Sequence, residues 1–398
     1  MRKILSFSFF LLLGLVLSQL LPGVLGEAYA SLKTYTDTLL YVALAFIMIN
    51  VGREFEIDKS RWRSYTADYF IAMATAALPW LLIVVYYIFV LLPESLWSSP
   101  EAWKENLLLS RFAAPTSAGI LFTMLAALQL KRSWIYRKIQ VLAIFDDLDT
   151  ILLMIPLQVL MIGLKWQMGA LLAVVVVLLA VGWRWQGRWN ARQEWPAILG
   201  WAVVVCAATQ LIYVVTKSLY GPDESIHIEV LLPAFVVGML MRHRHTDSAG
   251  ERRATTGISF LFMLLVGLSM PLIGDGGSSD PGSVTASQPM MPWGTLLLHV
   301  VAVSALSNLG KLVPLFFYRD RLLSERLALS IGMFTRGEVG AGVIFIALGY
   351  NLGGPALLIS VLTLVLNLVL TGLFVLWVRR LALRSYNPAQ EEADASAA

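Results

Sequence analysis

The chain is short of what soluble folds use most. Charged residues fill 14% of its 398 positions, where soluble domains run near a quarter. It has one cysteine, Cys206, which excludes a disulfide scaffold. It has four histidines: His227, His243, His245 and His299. Apart from the pair in Arg242-His243-Arg244-His245 they lie in different segments, and a metal site needs several convergent ligands. Net charge is only +4 despite a pI near 9.1, so the basic balance does not imply nucleic-acid binding. No Gly-rich phosphate loop, Ser-x-x-Lys or Gly-x-Ser-x-Gly element is present. Low charge with many large side chains excludes disorder.

What the chain has is apolar surface. Hydrophobic residues make up 58% and mean hydropathy is +0.72, more than one soluble core hides. The reading is an all-α polytopic membrane protein with about 12 transmembrane helices. Spans of roughly twenty apolar residues fall at Ile4–Leu21, Thr38–Val51, Ala67–Leu92, Leu107–Leu130, Ile139–Gly163 and Met168–Trp183. Six more fall at Trp195–Thr216, Ile226–Met241, Ala254–Ile273, Trp293–Tyr318, Leu327–Tyr350 and Ala356–Val378. Barrel strands would be half as long and would alternate in polarity.

Basic residues set the sidedness. With the N-terminus in the cytoplasm, 23 of the 30 Lys and Arg fall on the inner side. Four (Lys33, Lys104, Lys165, Lys217) fall outside, and Arg111, Lys311 and Arg336 lie within spans. A missed helix would invert every later loop, so both termini are expected in the cytoplasm, of a bacterial inner membrane. The first span has a rival reading as a signal peptide ending at Ala28-Tyr29-Ala30; a retained helix is preferred because the apolar run is long. The Gly/Ser/Pro-rich stretch Gly274–Pro292 reads as a mobile outer loop. Residues 386–398 read as a short disordered cytoplasmic tail, leaving 1–385 as the membrane domain.

Ionisable groups in hydrocarbon cost about 2.5–3.5 kcal/mol each on insertion scales and mark function or partners. The fifth span carries Asp146-Asp147-Leu148-Asp149. Successive helical positions differ by about 100°, so Asp146 and Asp147 face different neighbours while Asp149 returns toward the face of Asp146. A helix end misdrawn by a few residues would instead leave three solvated acids. Lys311 matches the acids in depth and is the candidate partner, though a lysine there could also snorkel. Two spans look broken: the fourth at Arg111-Phe112-Ala113-Ala114-Pro115-Thr116-Ser117, the eleventh at Gly332-Met333-Phe334-Thr335-Arg336-Gly337-Glu338. A Pro kink and an ordinary Arg336–Glu338 pair would explain each alone. Together, in oppositely directed spans, they point to inverted repeats (spans three to five and ten to twelve) with two discontinuous helices around a midplane ion site.

These residues resemble the monovalent cation:proton antiporter superfamily. The resemblance rests on Ala114-Pro115-Thr116-Ser117, Asp146-Asp147, Lys311 and Met333-Phe334-Thr335-Arg336-Gly337-Glu338-Val339-Gly340. Gly52-Arg53-Glu54 is similar to a family motif in which Leu is usual at the middle position, and Phe262–Ser269 is similar to its ninth-span segment. The resemblance implies a core domain with crossed, unwound helices 4 and 11 that moves against a dimerisation domain. It also implies exchange of a monovalent cation, sodium or else potassium or lithium, for protons. Asp147 would bind the transported metal cation and protons in turn, Asp146 would pair with Lys311, and Thr116 and Ser117 would line the crossing. Asp149, Arg336 and Glu338 would be supporting charges. Expected partners are the cation, the proton, membrane lipid and a second copy in a homodimer; no cofactor, nucleic acid or enzymatic activity is implied. The rivals are a sodium-coupled organic-anion symporter of the same general fold, an intramembrane aspartyl protease, and a non-transporting sensor. The protease would need two acids on facing helices, whereas these are adjacent on one.

Overall fold

A computed structural model describes residues 2–26, 28–54, 62–127, 133–162, 166–192, 194–220, 228, 230–242, 249–269, 283–350 and 352–384. The described chain is helical, and its one β feature is the isolated bridge Trp189–Met241. In chain order the helices are α1 (Arg2–Leu25), α2 (Ala28–Glu54), α3 (Trp62–Tyr86), α4 (Pro100–Leu109), α5 (Ala118–Ala127), α6 (Trp134–Ile162), α7 (Trp166–Trp185) and α8 (Trp195–Tyr220). They continue as α9 (Leu231–Leu240), α10 (Ala249–Leu268), α11 (Trp293–Gly310), α12 (Val313–Phe316), α13 (Leu323–Gly332), α14 (Glu338–Gly349) and α15 (Gly354–Arg384). Among the described residues six stretches are long and apolar enough to cross a membrane: Ser6–Leu25, Ser31–Arg53, Tyr65–Leu91, Trp195–Leu219, Trp293–Phe316 and Gly354–Arg384. This is an integral membrane protein.

Three expected segments differ in detail. The fourth begins before Leu107, at Pro100, because Ser99 caps the helix by accepting from the Ala102 N–H with Pro at the first position; Lys104, read as a loop residue, is helical. The tenth is not continuous, since α11 stops at Gly310 and α12 starts at Val313. The outer loop is not free along its whole length. The buried Glu105 carboxylate accepts from the Ser283 hydroxyl (3.0 Å), the Val284 N–H (2.9 Å), and the N–H and hydroxyl of Thr285 (both 2.8 Å). The tail, His227, His243 and His245 lie outside the described residues.

The chain divides into two compact units. One comprises Leu25–Ser60 and Gln158–Leu265. Here α2 packs along α9 through facing glycines. A Cβ on Gly52 would run into the Phe235 carbonyl, and one on Gly238 into the Ile49 carbonyl. Without a hydrophobic drive between helices in lipid, close backbone approach over small residues supplies the packing. The link from α7 to α8 returns to the end of α9: the Trp189 N–H donates to the Leu240 carbonyl at 2.8 Å, and the Arg242 N–H donates to the Trp189 carbonyl at 3.0 Å.

The other unit comprises Met1–Val24, Arg61–Leu157 and Val266–Ala398. It holds both broken spans, together with Arg111, Asp146, Asp149, Lys311 and Arg336. Here α3 carries Pro79 and crosses α11 at Gly310, where an added Cβ would meet Pro79 N and Cα at 2.5 and 2.6 Å. Past Tyr86, α3 widens into a π turn, Tyr87–Leu91. The Tyr86 hydroxyl meets His299 Nδ1 on α11 at 2.7 Å, and the Tyr87 hydroxyl meets Ser360 on α15 at 2.7 Å. His299 is therefore a helix–helix contact.

Gly238→Val is expected to destabilise the protein by about 1–3 kcal/mol through overpacking. Gly257→Ala, where a Cβ meets nothing within 4 Å, is expected to be neutral or stabilising by under about 1 kcal/mol. Thermal unfolding in detergent compares the two.

Candidate functional site

Two interruptions build the site. After α4 the chain tightens into a 3-10 turn, Ser110–Ala113, and leaves helical geometry through Ala114–Ser117. Pro115 has no N–H to continue the ladder and its ring opposes the preceding turn. Ser117 then starts α5, its hydroxyl accepting from the Ile120 N–H at 3.3 Å. In the second break α13 ends at Gly332. Two tight turns follow, Met333 N–H to Ser330 O and Phe334 N–H to Ile331 O, both 3.1 Å, and α14 starts at Glu338.

The breaks satisfy each other. The Ser117 N–H donates to the Thr335 carbonyl at 3.0 Å, and the Thr116 hydroxyl donates to the Met333 carbonyl at 3.1 Å. Irregular backbone within a membrane protein persists only where such partners exist. Close approach is required here: a Cβ on Gly337 would meet Ile120 Cδ1 at 2.6 Å and Ser117 Oγ at 3.0 Å.

Asp146, on α6, plugs into this junction. Lys311 Nζ donates to both its carboxylate oxygens at 3.0 Å, and the Thr116 N–H donates to Oδ2 at 2.6 Å. Lys311 also donates to the Thr116 hydroxyl at 3.1 Å. Both charged side chains are 0% exposed, so Lys311 does not snorkel. Its helix ends just before it, at Gly310, which packs against Pro79 of α3. The carboxylate takes the Thr116 N–H just ahead of the N-terminal end of α5, the favourable end of a helix dipole for an anion.

Two guanidinium groups sit at the opposite kind of helix end. Arg111 lies in the turn that closes the first half-helix, is fully buried, donates to the Asp149 carbonyl at 3.0 Å and stacks 4.9 Å over the Trp80 ring. Arg336 donates to the Met333 carbonyl at 3.0 Å and to the Ser307 carbonyl at 3.3 Å. Both cations thus use main-chain carbonyls as acceptors: Arg111 one within α6, and Arg336 two at the C-terminal ends of α13 and α11, where carbonyls carry negative partial charge. The Asp149 side chain is hydrogen-bonded to the Tyr69 hydroxyl, and its Oδ2 has no partner among the described residues.

The structure thus brings Thr116, Ser117, Asp146, Lys311 and Arg336 together, with Asp149 one turn along α6. Asp147 and Glu338 are helical, but their side chains lie outside the described residues. Sequence reasoning missed Tyr69, a tyrosine near a helix start that carries no signal of its own. It also left Arg111 unassigned, although an arginine one turn before Pro115 is itself a signal that a carbonyl end lies near.

The family described as "Sodium/hydrogen exchanger, transmembrane" matches residues 2–384. A search of curated proteins finds no match. Among solved structures, the chain is similar to that of the sodium proton antiporter MjNhaP1 from Methanocaldococcus jannaschii at pH 8. The TM-score is 0.55 and the identity 14%, over 92% of this chain and 91% of that one; at that identity the likeness shows the fold.

Lys311→Ala leaves Asp146 buried without its cation, and removing one partner of a buried pair costs about 3–5 kcal/mol. Replacing both, as Asp146→Leu with Lys311→Met, is expected to cost less than the single change. Unfolding midpoints of the two variants check this, and equal losses would refute it.

Proposed function

The chain belongs to the sodium/hydrogen exchanger family, and on that premise we propose that it exchanges sodium for protons across the membrane by alternating access. The observation that carries this reading is the dry Asp146–Lys311 pair seated where two interrupted helices meet. A midplane junction of broken helices is where secondary transporters hold their ions. The unit that contains the junction is taken as the translocating core and the other as the dimerisation domain of a homodimer. Twelve spans with both termini in the cytoplasm complete the arrangement, residues 1–385 forming the transport domain.

Exchange follows from competition. A carboxylate away from water is held uncharged by a proton or neutralised by a cation, and one group does not take both at once. Asp146 already has its acceptors filled by Lys311 and Thr116, so a cation there would have to displace an ammonium. That supports Asp147, about 100° round the helix, as the exchanging carboxyl. Asp146 and Lys311 would then fix the wall behind it, with Thr116 and Ser117 lining the crossing. Asp149, Arg336 and Glu338 would balance charge. Membrane lipid is the solvent of the whole assembly, and no cofactor enters the cycle.

Asp147→Asn is expected to abolish sodium-dependent proton movement in proteoliposomes, a loss of at least about a hundredfold as for removal of an essential acid–base group, with the unfolding midpoint unchanged. Full exchange by the folded variant would sink the assignment. Uptake of a bile-acid-like anion driven by sodium, with no proton movement, would move the protein to the symporter reading.

A further inference from the structure

Another buried carboxylate lies nearer the ends of the helices that carry the central pair. Asp68, near the start of α3, has a side chain only 3% exposed. Lys138 Nζ donates to its two oxygens at 2.8 and 2.6 Å, and the Tyr318 hydroxyl donates to Oδ1 at 2.7 Å. Each partner stands at the foot of an element that carries a member of the central pair. Lys138 precedes Asp146 by eight positions on α6, and Tyr318 follows Lys311 by seven, just past α12.

Tyr318 is held against its backbone preference. Its φ of 21° makes it the one non-glycine residue with positive φ among those described. Such a conformation persists where the surroundings over-determine it. Here the Lys138 ammonium lies 5.3 Å over the Tyr318 ring, Trp134 packs edge-on at 5.6 Å, and Arg321 stacks 4.9 Å over Trp134. Arg321 also sits 3.6 Å from the exposed Asp320 carboxylate. Asp68, Lys138 and Tyr318 thus make these contacts with one another and with Trp134, Lys138 lying eight positions along α6 from Asp146 and Tyr318 seven past Lys311.

We propose that Asp68 is a positioning residue for cation exchange: it cancels the Lys138 charge at the foot of α6 and ties the foot of the α11–α12 segment to α3. The proposal rests on the exchanger reading for its cation. At 1.5 Å per residue Lys138 is about 12 Å along α6 from Asp146. A freed unit charge at that distance, at an effective dielectric near 20, weakens the binding of a monovalent cation about tenfold. The tie to Tyr318 acts through geometry instead. Loss of the tie would loosen residues 312–318 without changing any charge.

The two roles separate experimentally. In proteoliposomes, Asp68→Asn is expected to raise the KM for sodium about tenfold, with the maximal rate within about twofold. The KM shift should shrink as choline chloride screens the freed ammonium. Adding Lys138→Gln to Asp68→Asn removes that ammonium and should restore the wild-type KM. Tyr318→Phe keeps every charge, so KM should stay unchanged, while backbone hydrogen exchange over residues 312–318 of the purified protein rises. An unchanged KM in Asp68→Asn, or a raised KM that Lys138→Gln does not restore, overturns the charge role. Unchanged hydrogen exchange in Tyr318→Phe overturns the tie. If Asp68→Asn does not fold, the double variant decides: folding with a wild-type KM supports the proposal, and failure to fold overturns it. A wild-type protein that moves no sodium against protons would sink the exchanger reading instead, and the hydrogen-exchange arm does not depend on it.

Discussion

A carboxylate and an ammonium, both sealed from water, organise one half of this protein. Asp146 and Lys311 meet at 3.0 Å with no exposure, and each costs far too much to bury alone. Everything around them serves to make burial tolerable. Thr116 gives its N–H to Asp146 and its hydroxyl oxygen to Lys311. Gly310 lets the end of α11 approach Pro79 of α3 closely, next to Lys311. An ion pair of this kind is weak evidence for stability and better evidence that one geometry is being specified. The specified geometry is the meeting of the two breaks, because Thr116 belongs to the first and bonds Met333 of the second.

Sequence logic reached the architecture through charge that the membrane forbids. Asp146, Lys311 and Arg336 stood out because apolar surroundings leave few reasons for a charge, and Pro115 and Gly332–Gly337 stood out because they interrupt helices. Lys138 and Asp68 did not stand out. Lys138 looked like one more basic residue at an inner helix end, and Asp68 like an acid just inside a boundary that carries an error of several residues. Only the fold shows that they face each other. Glu105 was hidden for a related reason: its donors lie 178 to 180 positions away, and two of the four are main-chain N–H groups, which leave no mark on composition. Span boundaries failed where a cap decided them, as at Ser99-Pro100, since hydropathy does not see hydrogen bonds.

The paired breaks are alike in backbone and unlike in side chains, and the difference bears on mechanism. In the first, the cation Arg111 precedes the interruption and reaches across to the Asp149 carbonyl of α6. In the second, Arg336 lies within the interruption, just before α14, and folds back on Met333, while also holding Ser307 of α11. Arg111 therefore ties its break to the helix of the acids, and Arg336 ties its break to the helix of Lys311. The central pair then closes the circuit, because Asp146 is on α6 and Lys311 directly follows α11. If one half-helix shifted alone, it would strip an acceptor from a buried cation, a loss of about 1.5–3 kcal/mol for a bond to a charged group. That penalty favours motion of the junction as a block, with α6, α11 and both breaks moving together. Under the proposed exchange, a carboxyl carried within such a block would change its access to water while keeping its fixed neighbours.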